Sequence, residues 1–167
     1  MCHNLVTREA PVTLASFNAA PEQEAVSAML ACCASRQFAA AMAAGRPYAS
    51  QTAALDAVAS VFQTLAWPDV LEAMNGHPRI GDRASGQSAA EQSGVADDSR
   101  AALAAGNAAY EERFGHVFLI CAAGRSGAQM LAALEQRLHN DKMSERLVAT
   151  RELRDITALR VGKALAE

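Results

Sequence analysis

The segment HVFLICA, residues 116–122, decides the fold class of this chain, because it is the one convincing run of strand-forming residues in the sequence. It lies between Gly115 and Gly124, and its valine, phenylalanine and isoleucine favour an extended backbone. A lone strand has no neighbour with which to share its hydrogen bonds. We therefore interpret it as a buried extended piece in an all-α fold, and expect its backbone N–H and C=O groups to serve a ligand.

The composition around this segment favours closely packed helices. Hydrophobic residues make up 51% of the 167 residues but aromatic residues only 5%, and Ala, Leu and Met dominate. This length matches one ordinary domain, so we predict a single domain over residues 1–167, a bundle of about eight helices with one short extended segment. The formal charge of −3 and the lack of Lys/Arg runs argue against nucleic acid or an anionic membrane as a partner.

Helix-capping residues and apolar spacing predict where most helices lie. The predicted helices are a short one after Thr13, Glu22–Ala34, one from Ser35 to Gly45, one from Ser50 that breaks at Trp67-Pro68, Asp69–Met74, one opening at Ser88, one from Asp98 or Ser99 to Phe114, Ser126–Leu138 and Ser144–Leu165.

The cysteines favour a reduced, soluble protein. Val26, Met29, Leu30 and Cys33 recur at helical spacing, so we expect the Cys32-Cys33 pair to include a buried apolar cysteine and not to be a reactive or metal-binding pair. There is no C-x-x-C spacing, no apparent signal sequence and no apolar run of about 18 residues, so we expect a cytoplasmic protein without a membrane span. The four histidines, His3, His77, His116 and His139, have no ligand-spaced partners, so no metal site is expected.

The stretch HPRIGDRASGQSAAEQSG, residues 77–94, concentrates polar chemistry in an otherwise Ala-rich chain. Asn75-Gly76 ends a helix, and Pro78 pushes His77 toward an extended backbone, which places its imidazole at a fixed bend. A loop histidine can transfer protons near neutral pH, although it can equally satisfy loop backbone groups. Ser88 and Glu91 fit a capping box, which explains their spacing without any further role.

Arg160 interrupts the apolar face of the last predicted helix. Ala149, Leu153, Ile156 and Ala164 share that face, so the guanidinium is directed inward and requires an anion. The structural interpretation is a buried salt bridge or a stem that packs while the head reaches water. The functional interpretation is a clamp for a substrate carboxylate. Arg125, in the loop after the extended segment, is a second candidate in a mobile, solvated position.

These residues form an ordered set that resembles the 2-oxo-4-hydroxy-4-carboxy-5-ureidoimidazoline (OHCU) decarboxylases. The set is His77-Pro78-Arg79-Ile80-Gly81, Ser88-x-x-Glu91-Gln92, Asn107-x-x-Tyr110-x-x-Arg113-Phe114-Gly115, Phe118-Leu119-Ile120-Cys121-Ala122 and Glu152 to Arg160. It covers about residues 10–165. Two features depart from the family pattern: the loop between His77 and Ser88 is shorter than in many relatives, and Ala123-Gly124 stands where a basic residue often follows.

The resemblance implies an all-helical homodimer that converts OHCU to (S)-allantoin in urate degradation without a cofactor. It implies that His77 is the catalytic acid/base, that Glu91 and Arg160 take part in catalysis, and that Arg160 meets the substrate anion. The implied substrate-binding residues are Pro78, Ser88, Gln92, Phe118, Leu119, Ile120, Cys121 and Ala122.

Two other classes of function stay open at this point. A cofactor-free hydrolase or lyase acting on another ureido or purine-derived ring would use the same residues, with Glu91 activating water, and would release no CO₂ if it were a hydrolase. A non-catalytic helical interaction module would bury His77 and Arg160 for structural reasons and would have no closed polar pocket.

Overall fold

The structure, a computed structural model, describes residues 13–81 and 97–166, with only the backbone of Asp97 and Asp98. Within these ranges the chain forms eight helices and no strands, which confirms the all-α prediction. The helices are α1 (Leu14–Ala19), α2 (Glu22–Cys32), α3 (Arg36–Ala44), α4 (Gln51–Phe62), α5 (Trp67–Asn75), α6 (Asp97–Phe114), α7 (Gly127–Arg137) and α8 (Lys142–Ala164). The helix predicted to open at Ser88 lies outside the described residues.

Side-chain caps begin five of these helices. Thr13, Ser35, Ser50, Ser126 and Asp141 each accept a hydrogen bond from a backbone N–H in the first turn of the helix that follows. Such a cap satisfies a donor that the helix itself leaves unpaired. At the C-terminal end of α6, Gly115 adopts φ +77°, the left-handed conformation that commonly closes a helix and that favours glycine.

Two helix starts differ from the sequence prediction. Trp67-Pro68 was predicted to end one helix and to precede the next, but both residues lie in the first turn of α5. Proline is tolerated there because N–H groups of a first turn have no partner within the helix. The last helix begins at Lys142 rather than Ser144, since Asp141 accepts from both Met143 and Ser144 backbone N–H groups and so acts as the cap.

Two clusters of buried side chains form the interior. The main cluster joins α1 to α5 with α8, and it includes Met29, Phe38, Met74 and Leu153. The second cluster lies between α6 and α7 and is formed by Ile80, Leu103, Tyr110, Phe118, Ile120, Ala122, Met130 and Leu134. No helix within the described ranges combines the length and apolar character needed to cross a bilayer.

The segment 117–122 runs between the two clusters. Leu119, with the partly buried Val117 and Cys121, packs on the main cluster, while Phe118, Ile120 and Ala122 belong to the second. This alternation is that of an extended backbone, in which successive side chains point to opposite sides. The segment is buried and extended, as the sequence predicted, and it forms a wall that both clusters share.

Candidate active site

His77 stands immediately after α5, where the helix end fixes both its backbone and its ring. Gly76 caps the helix, and the backbone N–H of His77 donates to the carbonyl of Met74 at 3.0 Å. The ring Nδ1 lies 3.0 Å from the carbonyl oxygen of Ala73. Because a carbonyl can only accept, Nδ1 carries the hydrogen of this bond, and Nε2 is the nitrogen that gains or loses a proton.

The partly buried Pro78 follows His77 and stiffens the chain, and the next residues attach to α6. Arg79 forms a two-point ion pair with Glu111, and the side-chain amide of Asn107 donates to the carbonyl of Ile80 at 2.9 Å. The loop that carries His77 is thus held between α5 and α6.

Arg160 is directed inward, as its position on the apolar stripe predicted. It is 9% exposed and lies on the face of α8 that also buries Leu153 and Ile156. Burial raises the pKa of the Cys32 and Cys33 thiols, and the charge of Arg160 partly opposes this rise, so the guanidinium lies within the range of charge interaction of the C-terminal end of α2. Burial raises the pKa of Cys32 to about 11, so that thiol is neutral at pH 7 and is not a counter-ion for the guanidinium.

The short connection between α2 and α3 gives the His77 loop and Arg160 a common neighbour. A Cβ atom added to Gly76 would lie 2.9 Å from the Cβ of Ala34, so the end of α5 packs directly on this connection. Cys32 and Cys33, whose pKa values the charge of Arg160 lowers against the larger effect of burial, lead into the same connection, and both are buried. The His77 loop and Arg160 are far apart in the sequence, and the fold brings them to the region around this connection.

The wall segment is held through its backbone by two charged side chains. The N–H of Cys121 donates to Glu152 at 2.8 Å, and Arg137 donates to the carbonyl of Leu119 at 2.7 Å. In the described part of the chain, the N–H groups of Phe118, Leu119 and Ile120 have no hydrogen-bond acceptor, although these residues are 1–2% exposed. Buried donors of this kind require a partner, and substrate oxygens are of the right type.

Arg137 belongs to a buried polar cluster behind the wall. It pairs with Glu145 at 2.5 Å, and Glu145 also accepts from the hydroxyl of Tyr110. Burial, with the hydrogen bond to Glu145, raises the pKa of Tyr110, so the phenol stays protonated and remains a donor. The guanidinium of Arg137 also lies 4.6 Å from the ring centroid of Phe118.

The sequence analysis missed this cluster, although one signal was present. Glu145 lies four residues before Ala149 on the stripe that carries Arg160, and it is 0% exposed. A carboxylate on an apolar stripe needs a buried partner, by the same reasoning that singled out Arg160. Its partner Arg137 has no comparable signal, because it closes a helix in a position typical of solvated arginines.

The remaining site candidates divide into two groups. Arg125 is 40% exposed and lies 3.7 Å from Glu152, so it forms a loose ion pair over the wall segment. Ser88, Glu91 and Gln92 lie outside the described residues. Within the described ranges, no three His, Cys, Asp or Glu side chains converge as a set that could hold a metal ion.

This all-α chain, with a histidine at a helix end, an inward arginine and a buried extended wall, is similar in fold to two kinds of solved enzyme structure. A crystal structure of an OHCU decarboxylase in the presence of (S)-allantoin matches with a TM-score of 0.74 and 32% identity, covering 86% of this chain and 97% of that one. A crystal structure of (S)-allantoin synthase matches with a TM-score of 0.69 over 92% of this chain and 54% of that one; at 19% identity this likeness shows the fold alone.

The family model for OHCU decarboxylase matches residues 18–162, and the chain belongs to this family. It is 37% identical over 148 residues to the uric acid degradation bifunctional protein TTL of Arabidopsis thaliana, covering 81% of this chain and 46% of that protein. It is 42% identical over 55 residues to the 2-oxo-4-hydroxy-4-carboxy-5-ureidoimidazoline decarboxylase of Amia calva, covering 33% of this chain and 31% of that protein. The chain thus spans less than half the length of these curated relatives.

Proposed function

We propose that this protein decarboxylates OHCU to (S)-allantoin in urate degradation, without a cofactor and with His77 as the acid/base. The observation that carries the reaction class is the family match over residues 18–162, which spans every described residue proposed for the site. The geometry of His77 supports its role, because the bond to Ala73 anchors the ring through Nδ1, and we place proton transfer at the other ring nitrogen, Nε2.

The proposed reaction consumes one proton and releases one CO₂. The bond between the ring carbon and the carboxylate breaks, and its electron pair passes into the conjugated ring, so no separate electron sink is required. One proton is then added to one face of the planar intermediate. We assign this proton to Nε2 of His77, and the ring takes up one proton to complete each turnover.

The remaining site residues bind and orient the substrate in this proposal. Arg160 binds the carboxylate, and its burial strengthens that interaction because water screens it less. The N–H groups of Phe118 and Ile120 share one side of the extended segment and have no other acceptor in the described chain, so we assign these two to carbonyl oxygens of the substrate. The N–H of Leu119 points to the opposite side, and Leu119 contributes to the wall. Pro78, Cys121 and Ala122 complete the walls.

Ser88, Glu91 and Gln92 are assigned from the sequence alone. Glu91 and Gln92 carry the acceptor and donor groups that ureido N–H and C=O atoms require, and Ser88 adds a hydroxyl. In this assignment the three residues fix the orientation of the ring relative to His77, and Glu91 takes part in catalysis.

The experiment that tests the proposal follows freshly made urate-oxidation product with and without the protein. We expect faster CO₂ release and a circular dichroism signal of (S)-allantoin that appears only with the protein. Uncatalysed decay protonates both faces and gives a racemate. A face preference of about 2.7 kcal/mol gives a hundredfold excess of one enantiomer.

Two results would contradict the proposal. Consumption of the substrate without CO₂ would indicate a hydrolase, and unchanged decay would indicate a non-catalytic module. Three further expectations stay predictions: a single domain over residues 1–167, a homodimer and a cytoplasmic location. Sedimentation analysis of the purified chain tests the homodimer.

A further inference from the structure

Residues 79–81, which follow His77 and Pro78, lie along one face of α6 and run in the opposite direction to it. The paired residues are Arg79 with Glu111, Ile80 with Asn107, and Gly81 with Arg100. Arg100, Asn107 and Glu111 are spaced by seven and four positions, which places them on one side of the helix. Each successive residue of the loop is therefore bound one or two turns further back along α6.

The contacts on this face, here called the α6 clamp, are one ion pair and two hydrogen bonds from side chains to backbone carbonyls. Arg79 donates through Nε and Nη2 to the two oxygens of Glu111 at 2.5 and 2.8 Å, a planar pairing that fixes orientation as well as distance. Arg100 donates to the carbonyl of Gly81 at 2.9 Å. Gly81, the last residue of the clamp, adopts φ +91°, a conformation that favours glycine.

Asn107 is the buried centre of the clamp. It is 2% exposed, and its Nδ2 donates to the carbonyl of Ile80 at 2.9 Å. Its Oδ1 is buried and has no hydrogen-bond partner among the described residues. A buried acceptor without a donor lowers stability. Asn107 is therefore a poor choice for stability alone, and the bond that it provides is the one to the His77 loop.

We infer that the α6 clamp positions the imidazole of His77, with Asn107 and Glu111 as positioning residues. The inference rests on the proposed function, in which Nε2 must face one side of the substrate. The end of α5 holds His77 from the N-terminal side through Ala73 and Met74, and the clamp holds the chain on the C-terminal side. A displacement of about 1 Å in such a group can cost a hundredfold in rate.

The first test is Asn107→Leu, because the leucine side chain has nearly the same shape as that of asparagine. The substitution removes the unpaired Oδ1 but leaves the carbonyl of Ile80 without its donor, so the number of buried unpaired acceptors is unchanged. We expect little change in the thermal midpoint. We expect kcat to fall at least tenfold, KM to change less than threefold, and the enantiomeric excess of the product to decrease.

The second test is Glu111→Gln, which breaks the two-point pairing at a partly exposed position and does not threaten folding. The matched control is Glu112→Gln, which makes the same charge change at the adjacent, exposed position of α6. Arg113→Met is a further control, because Arg113 lies on α6 but donates to the carbonyl of Asn140 instead of the loop. Both controls should keep wild-type kcat and enantiomeric excess, whereas Glu111→Gln should lower both.

A nuclear magnetic resonance readout separates this inference from the proposed function. At a pH where the ring is neutral, ¹⁵N shifts of His77 in the wild type should show Nδ1 protonated, and Asn107→Leu should move them toward an average of the two tautomers. Unchanged shifts and full enantiomeric excess in a folded Asn107→Leu or Glu111→Gln variant would overturn the clamp. An inactive wild type would overturn the proposed function, while the shifts would still test the clamp.

Discussion

His77 combines a fixed ring nitrogen with a position just outside a helix, so its replacement should affect chemistry without affecting folding. We expect His77→Asn to abolish decarboxylation while the far-ultraviolet circular dichroism spectrum and thermal midpoint stay close to wild type. The matched control is His139→Asn, since His139 is exposed beyond the end of α7. A folded His77→Asn protein with wild-type turnover would show that another group supplies the proton.

Arg160 offers a second test with a different readout. We expect Arg160→Met to raise KM by about 10- to 100-fold, the loss expected for a charge-assisted hydrogen bond of about 1.5–3 kcal/mol, with a thermal midpoint equal to or above that of the wild type. Arg151→Met, at an exposed position of α8, is the control. A lower midpoint with unchanged KM would instead assign Arg160 to a structural ion pair whose partner is left buried and uncompensated.

Residue by residue, the sequence could predict side chains whose own surroundings are unusual. The apolar stripe around Arg160 is such a local pattern, and the structure places Arg160 inward as the pattern indicates. Glu152 and Asn107 hold backbone groups 31 and 27 positions away. Such partners depend on tertiary packing, which no local spacing reveals.

Among the elements, the wall segment depends most on a single buried cluster. Arg137 holds the carbonyl of Leu119 and pairs with Glu145, and these two side chains are 8% and 0% exposed. We expect Arg137→Met to lower the free energy of unfolding by about 3–5 kcal/mol, because it leaves the Glu145 carboxylate buried without its cation. Urea unfolding monitored by fluorescence measures this loss.

The double variant Arg137→Met/Glu145→Leu separates the charge from the packing. Replacing both members of a buried pair with apolar side chains is often neutral in stability, so we expect it to recover most of the loss. Equal destabilisation of the single and double variants would mean that the hydrogen bonds to Leu119 and Tyr110, and not the stranded charge, dominate the free energy.

Element boundaries were predictable where a capping side chain marks them. Ser35, Ser50 and Ser126 precede their helices as expected, because the hydroxyl and its backbone partner lie within three residues. Trp67-Pro68 was misread, because proline ends a helix from inside but is tolerated in its first turn. The difference depends on where the next apolar face packs, which is tertiary information.

For the whole molecule, His116 makes stability depend on pH. It is 8% exposed and lies against the rings of Trp67, Tyr110 and Phe114. Burial lowers its pKa below the ordinary 6.5; the nearby Arg137 and Arg146 add to this shift, while the hydrogen bond to the Val117 carbonyl and the charge of Glu145 oppose it. The folded state therefore binds fewer protons than the unfolded state in this range.

Stability should accordingly decrease as the pH falls from about 6.5 through the lower pKa of folded His116. We expect urea midpoints measured between pH 8 and pH 5 to fall over this window, and His116→Phe, which keeps a ring but cannot titrate, to flatten the curve. The lowered pKa values of Glu72, Glu111 and Asp141 act in a separate range, below their ordinary values of 4.5, 4.5 and 3.8. A decline that persists unchanged in His116→Phe would exclude His116 as its source.

The wall segment also determines which changes in chain length this architecture can accept. Its odd-numbered side chains serve one cluster and its even-numbered side chains the other, and Gly115 before it closes a helix. Inserting or deleting one residue within 117–122 would exchange the two sets, sending Phe118 and Ile120 to the space fitted for Leu119. Inserting or deleting two residues would leave each side chain on its original side. The two clusters therefore constrain whether the length of the segment changes by an odd or an even number more than they constrain the identity of any one side chain.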